Sequence, residues 1–273
     1  MTTRLLSIAL TIAMSATAYA AQAQTLPTPP APETAAETAM FDDPCAGRPA
    51  NFYSPSADWA WLCRYHAANQ ALAGKAVDTV LIGDSITEGW VTQDPGFFAN
   101  GIVGRGISGQ TSPQLLVRFW QDVITLRPKA VHIMIGTNDL AGNTGPTSPE
   151  AYKNAIRAMV TLAKANHIVV ILGSIPPADR FDWARQHKPA PTIVSLNAWL
   201  KDYAAAEGLV YADYHGALAG PDGELPARFG PDGVHPNAAG YAVMRKVAEQ
   251  AIAEAEALVG RRHQRHRHHR HQD

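Results

Sequence analysis

The chain of 273 residues predicts an α/β fold, a three-layer α/β/α sandwich around a central parallel sheet. Short, almost continuously apolar runs recur along its body, as strands buried on both faces require. Stretches with helical apolar spacing stand between and after them, and such alternation imposes right-handed crossovers between parallel strands. An apolar share of 46% with 17% charged residues is that of a globular protein, which excludes wholesale disorder, collagen-like repetition and a coiled coil.

The elements follow in chain order. Residues 1–23 place one positive charge, Arg4, before the apolar run Leu5 to Met14 and close on small residues, the order of a removable signal peptide. That run is shorter than the ~20 residues a membrane span needs, and no later stretch is long and apolar enough. The expectation is a mature protein in an extracellular or periplasmic setting. Residues 24–40, rich in Pro, Ala and Thr, read as a flexible linker. Residues 41–260 are expected to form one catalytic-sized domain with its N-terminal arm. A first helix is expected over 56–72. Strands are expected at 77–82, 130–135, 168–172 and 209–212. Helices are expected near 113–125, 149–165, 192–207 and 237–258. Residues 261–273, RRHQRHRHHRHQD, read as a disordered tail without the ligand spacing of a folded metal site.

The formal charge of -1 conceals an uneven distribution, because the tail holds five arginines and one aspartate. The body is therefore more acidic than the total, which argues against nucleic acid as the main partner. Cys45 and Cys63, an even pair close in sequence in an oxidising compartment, point to a disulfide that pins the arm to the first helix. Closing such a loop is worth about 3 kcal/mol in the chain-entropy model. Two separate buried thiols are the other reading.

Ligands of a parallel sheet bind where the strands deliver their carboxyl ends. The first strand ends in Gly83-Asp84-Ser85, which leaves Ser85 beyond the sheet edge with its hydroxyl exposed, either as a nucleophile or as a helix cap. The second ends in Gly136-Thr137-Asn138-Asp139, a turn by its composition and a source of an amide donor for an oxyanion by its place. Between them Gly109 offers a backbone N–H that a side chain would obstruct. Late in the chain, Asp232 and His235 stand three residues apart on a loop between two prolines. That spacing lets the carboxylate hold Nδ1–H while Nε2 faces Ser85; alone, it also fits a loop aspartate beside a surface histidine.

These blocks, in this order, resemble the GDSL or SGNH hydrolase superfamily over about residues 77–259, and most of all its lysophospholipase L1 and platelet-activating-factor acetylhydrolase-like esterases. The resemblance implies a flavodoxin-like sandwich and a serine esterase working through an acyl-enzyme. It implies Ser85 as nucleophile, His235 as base and Asp232 as orienting acid. It also implies an oxyanion hole of the Ser85 N–H, the Gly109 N–H and the Asn138 side chain. No metal or organic cofactor is expected. The expected partner is a small acyl ester, a lipid ester or an O-acetylated glycan, with residues 181–191 contributing to the rim that selects it. Trp90, Phe97 and Phe98 suit either an acyl pocket or the core.

Three other readings compete. A classical α/β-hydrolase would carry its serine in Gly-x-Ser-x-Gly, which Ser85 does not. Asp213-Tyr214-His215 mimics a metal-ligand pair, so a metal-dependent phosphoesterase would need Asp84 and Asp139 to converge on it. A catalytically silent carbohydrate- or surface-binding protein would leave the serine, histidine and aspartate without a shared task.

Overall fold

The computed structural model describes Asp43, Cys45 and residues 58–269, with side chains as far as Arg261. The expected signal peptide and linker lie outside the described residues. Five parallel strands form one sheet: β1 (Thr79–Gly83), β2 (Ile102–Gly106), β3 (Ala130–Met134), β4 (Val169–Gly173) and β5 (Val210–Ala212), in the spatial order β2-β1-β3-β4-β5. The helices are α1 (His66–Gln70), α2 (Ser85–Gln93), α3 (Ser112–Asp122), α4 (Thr137–Ala141), α5 (Pro149–Ala165), α6 (Pro189–Glu207), α7 (Tyr214–Leu218) and α8 (Ala238–His269).

Every residue of β1, β3 and β4 is buried, and their side chains alternate between two cores. On one face Val80, Ile82, Val131, Ile133, Val170 and Leu172 pack with Leu115 and Phe119 of α3, Ile156 and Met159 of α5, and Leu196 and Leu200 of α6. On the other, Leu81, Met134 and Ile171 pack with Ile86 and Trp90 of α2, Tyr214 of α7, and Tyr241, Met244 and Ala248 of α8. Each large side chain so buried contributes roughly 1.5–3 kcal/mol. The chain runs from β1 outward to β2, then crosses back over β1 to β3. This reversal opens a crevice at the carboxyl ends of β1 and β3, the place where such sheets bind ligands.

Four boundaries differ from the sequence expectation. The helix expected over 56–72 is reduced to α1, preceded by turns. Trp61 adopts a left-handed φ of 53°, and the Asp58 carboxylate accepts from the backbone N–H groups of Leu62 (2.7 Å) and Cys63 (3.1 Å), which competes with helical bonding. The edge strand β2 stands where no strand is expected. Its glycines serve close packing on α2: a Cβ at Gly104 would lie 2.3 Å from Val91, and one at Gly106 would lie 2.1 Å from the Glu88 backbone nitrogen. Helix α6 starts at Pro189, since proline suits the first turn where its missing N–H is not needed. Finally, α8 continues past the expected end at Leu258, so the backbone of residues 261–269 is helical where a disordered tail was expected. That stretch contains no proline, and Arg and Gln tolerate the helix well. Cys45 and Cys63 are joined as a disulfide, as expected.

Candidate active site

Strand β1 delivers its carboxyl end at Gly83, where any Cβ would strike Thr87 Oγ1 at 2.2 Å and the Met134 carbonyl at 2.5 Å. Asp84 then caps α2, its Oδ1 accepting from the Ile86 N–H at 3.0 Å. With the cap supplied by Asp84, the Ser85 hydroxyl is left for other work. Ser85 is the first residue of α2, so its N–H belongs to the unsatisfied, electropositive start of the helix.

The late loop between α7 and α8 comes back over this serine. Gly233, at φ +79°, turns the chain so that Asp232 Oδ1 accepts from the N–H groups of Val234 (2.9 Å) and His235 (2.7 Å). Oδ2 lies 2.7 Å from His235 Nδ1. On the far side of the ring, Nε2 lies 2.9 Å from Ser85 Oγ. Partial burial raises the Asp232 carboxyl, but the two backbone donors and the imidazole outweigh it and hold the group below the ordinary carboxylate range. An ionised Asp232 only accepts, so Nδ1 carries the proton and Nε2 presents its lone pair to the serine hydroxyl.

The expected oxyanion donors stand on the loops next to this serine, tied to it through Asp84 and Asn143. Gly109 follows β2 with φ +77°; a Cβ there would meet only Asn143 Nδ2, at 3.9 Å. Within the protein, conformation rather than crowding thus calls for the glycine. Asn138 lies at the start of α4, after Gly136 at φ +139°. Its Nδ2 donates to the Gln110 carbonyl at 3.0 Å and makes a longer contact of 3.4 Å with Asp84 Oδ2. Its Oδ1 accepts from Asn143 Nδ2 at 2.8 Å. Ser85, Asp232, His235, Gly109 and Asn138 are therefore brought to one crevice.

The sequence pattern of the GDSL-like Lipase/Acylhydrolase family matches residues 81–243, a span that contains all five. The chain belongs to this family. A GDSL-like lipase from Bacteroides thetaiotaomicron is 45% identical, covers 72% of this chain and 99% of its own, and superimposes with a TM-score of 0.70. A protein assigned as an acylhydrolase from Bacteroides fragilis is 46% identical over 72% of this chain and 98% of its own, with a TM-score of 0.69. An acetylxylan esterase from Geobacillus stearothermophilus shares the fold at 24% identity, over 66% of this chain and 95% of its own, with a TM-score of 0.53. No curated protein matches the chain. As a member of the GDSL family, the protein is a carboxylic ester hydrolase.

Two buried acids support the crevice from below. Burial pushes the Asp84 carboxyl up to about 7, against the lowering effect of the Ile86 N–H and His235. Burial pushes Asp139 up to about 6, although Ser112 donates to it from both hydroxyl and backbone. Both serve as acceptors that tie the loops after β1, β2 and β3 to one another.

Other residues singled out from the sequence have different places. Asp213 caps α7 by accepting from the Gly216 N–H at 2.8 Å, and the His215 backbone N–H donates to Ser174 Oγ. Trp90 and Phe97 stack at 5.0 Å and are fully or almost fully buried, so they belong to the core; Phe98 packs edge-on against both. Of residues 181–191, Trp183 stands beside the crevice, its ring centroid 6.4 Å from that of His235. It stacks on the buried Phe181 and donates through Nε1 to Asn143 Oδ1 at 3.1 Å. Sequence reasoning passed over Asn143 and Gln110, which belong to no block and whose bonds depend on loops meeting in space. A small recess of about 250 Å³, lined by Trp61, Ser108, Gly109, Gln114, Asn143 and Thr144 among others, opens beside Gly109. A larger cavity of about 790 Å³, with Asn69, Lys75, Arg127 and Lys129 in its wall, lies toward the amino ends of β1 and β3, so size does not mark the site.

Proposed function

We propose that this esterase works through an acyl-enzyme in which Ser85 is the nucleophile, His235 the base and Asp232 the group that orients and charges it. The observation that carries this reading is the continuous line of polar contacts from Asp232 Oδ2 through the imidazole to Ser85 Oγ, 2.7 Å and then 2.9 Å. Ser85 Oγ attacks the ester carbonyl as its proton passes to Nε2. The oxyanion takes the N–H groups of Ser85 and Gly109 and one hydrogen of Asn138 Nδ2, replacing the long contact to Asp84. The imidazolium gives its proton to the leaving alkoxide, the alcohol departs, and the same histidine then activates water to cleave the acyl-serine.

As substrate we propose a small acyl ester, a lipid ester or an O-acetylated glycan, met in a secreted or periplasmic setting after removal of residues 1–23. The small recess beside Gly109 and the fold shared with an acetylxylan esterase favour a short acyl group. Residues 24–40 are proposed as the linker to the catalytic domain. An organophosphonate is expected to label Ser85 in the folded protein, and hydrolysis of p-nitrophenyl esters to fall steeply from C2 to C16. Failure to label overturns the nucleophile. A maximum at long chains, or faster turnover of a lysophospholipid than of acetylated xylan, overturns the short-acyl reading.

A further inference from the structure

We propose that Asn143 is a positioning residue for the oxyanion hole, acting through Asn138 and the Gly109 peptide; this rests on the reading of those two as oxyanion donors. A carboxamide can be turned end for end, and only one orientation of Asn138 aims hydrogens at the crevice. The bonds around Asn143 decide that orientation because both of their outer ends have fixed polarity. The Trp183 indole only donates, so the atom of Asn143 that it meets at 3.1 Å is Oδ1. The Gly109 carbonyl only accepts, so the atom facing it at 3.3 Å is Nδ2. The remaining hydrogen of Nδ2 points at Asn138 at 2.8 Å, which makes that atom Oδ1 and leaves Asn138 Nδ2 for Gln110 and for the long contact to Asp84 that an oxyanion would replace.

The backbone holds this arrangement in register. The Asn143 N–H donates to the Asn138 carbonyl at 3.1 Å, closing the turn that ends α4 at Gly142, which sits at φ +72°. The neighbouring Thr144 hydroxyl meets that of Thr111 at 2.8 Å, fastening this turn to the loop that carries Gly109. One exposed side chain thus links the two proposed donors that do not come from the nucleophile's own segment, and takes its orientation from Trp183 beside His235.

The test compares steady-state kinetics on p-nitrophenyl acetate for Asn143→Ala, Asn143→Asp, Asn138→Ala and the double variant Asn138→Ala/Asn143→Ala. Asn138→Ala is expected to lower kcat about 10²- to 10³-fold. Asn143→Ala is expected to lower kcat at least about tenfold with little change in KM, and the double variant to be no slower than Asn138→Ala. Asn143→Asp, of the same shape, faces two acceptors with a carboxylate. Its kcat relative to the parent enzyme is expected to rise as pH falls through about 4, where the carboxyl gains a hydrogen to donate. Parent-like kcat in Asn143→Ala, penalties that multiply in the double variant, or a ratio for Asn143→Asp that is flat with pH overturns the proposal. Parent-like kcat in Asn138→Ala overturns instead the reading of Asn138 as a donor.

Discussion

The two halves of the proposed catalytic site are built in opposite ways. Ser85 and Asn138 stand on the ends of β1 and β3, over a floor of buried polar groups: Asp84, Asp139, Gln110 and the Arg118–Asp122 pair, all at most 3% exposed. His235 and Asp232 stand on a loop, with side chains 41% and 50% exposed. The nucleophile side is set among buried polar groups, whereas on the base side only Val234 enters the core and the two side chains themselves are held chiefly by the bonds that Asp232 makes to its own loop. The loop side is therefore expected to separate activity from stability, and the strand side to couple them.

The largest expected effect tests the loop side. His235→Ala should lower kcat by several orders of magnitude while changing unfolding free energy by only about 0.5 kcal/mol, as for an exposed residue. Asp232→Asn should cost up to about 10⁴-fold in kcat by removing the charge that selects the Nδ1–H tautomer. A large fall in melting temperature in either variant would show that the loop side, too, couples activity to stability.

The strand side is tested by Arg118. Its guanidinium is fully buried and donates to the Gly83 carbonyl (2.9 Å), the Arg105 carbonyl (2.8 Å), Gln110 Oε1 (2.6 Å) and Asp122 Oδ2 (2.9 Å). It thereby ties the carboxyl ends of β1 and β2 beneath the nucleophile. Arg118→Met should cost about 3–5 kcal/mol by leaving Asp122 as a buried, poorly paired charge. Urea unfolding should show this as a lower midpoint at unchanged slope, with a fall in kcat. A loss under about 1 kcal/mol would place the rigidity elsewhere.

The smallest expected effect is a dependence of stability on pH. Asp84 and Asp139, raised by burial to about 7 and about 6, keep protons in the folded state that the unfolded chain gives up near pH 4. Their contribution to stability is fully present below about pH 4 and is lost as pH rises through 6 and 7. Asp84→Asn keeps an acceptor for the Ile86 N–H and no longer ionises. Its melting temperature minus that of the parent should rise between pH 4 and 8, and a constant difference would show that Asp84 ionises as it does in water.

The strands β1, β3 and β4 were legible because sheets covered on both faces need unbroken apolar runs. Strand β2 was not, because Gly104 and Gly106, chosen for contact with α2, imitate a loop. Ser85, Asp232 and His235 were legible because short blocks carry their chemistry. Asn143 and Gln110 were not, since a side chain bridging loops leaves no periodicity behind it. The first helix was overcalled because its apolar and aromatic residues fit a helix until the Asp58 carboxylate is placed.

By itself the sequence determined the class of sheet, four of its five strands with the long helices that alternate with them, and the residue types brought to its carboxyl edge. These follow from burial patterns and local backbone preferences, which act over a few residues. Only the tertiary structure decided that Ser85 and His235, 150 residues apart, meet at 2.9 Å, and that Asn138 turns its nitrogen rather than its oxygen toward the Gln110 carbonyl. Hydrogen bonds act over tenths of an ångström and in fixed directions, and such positions exist only once the packed core has set them.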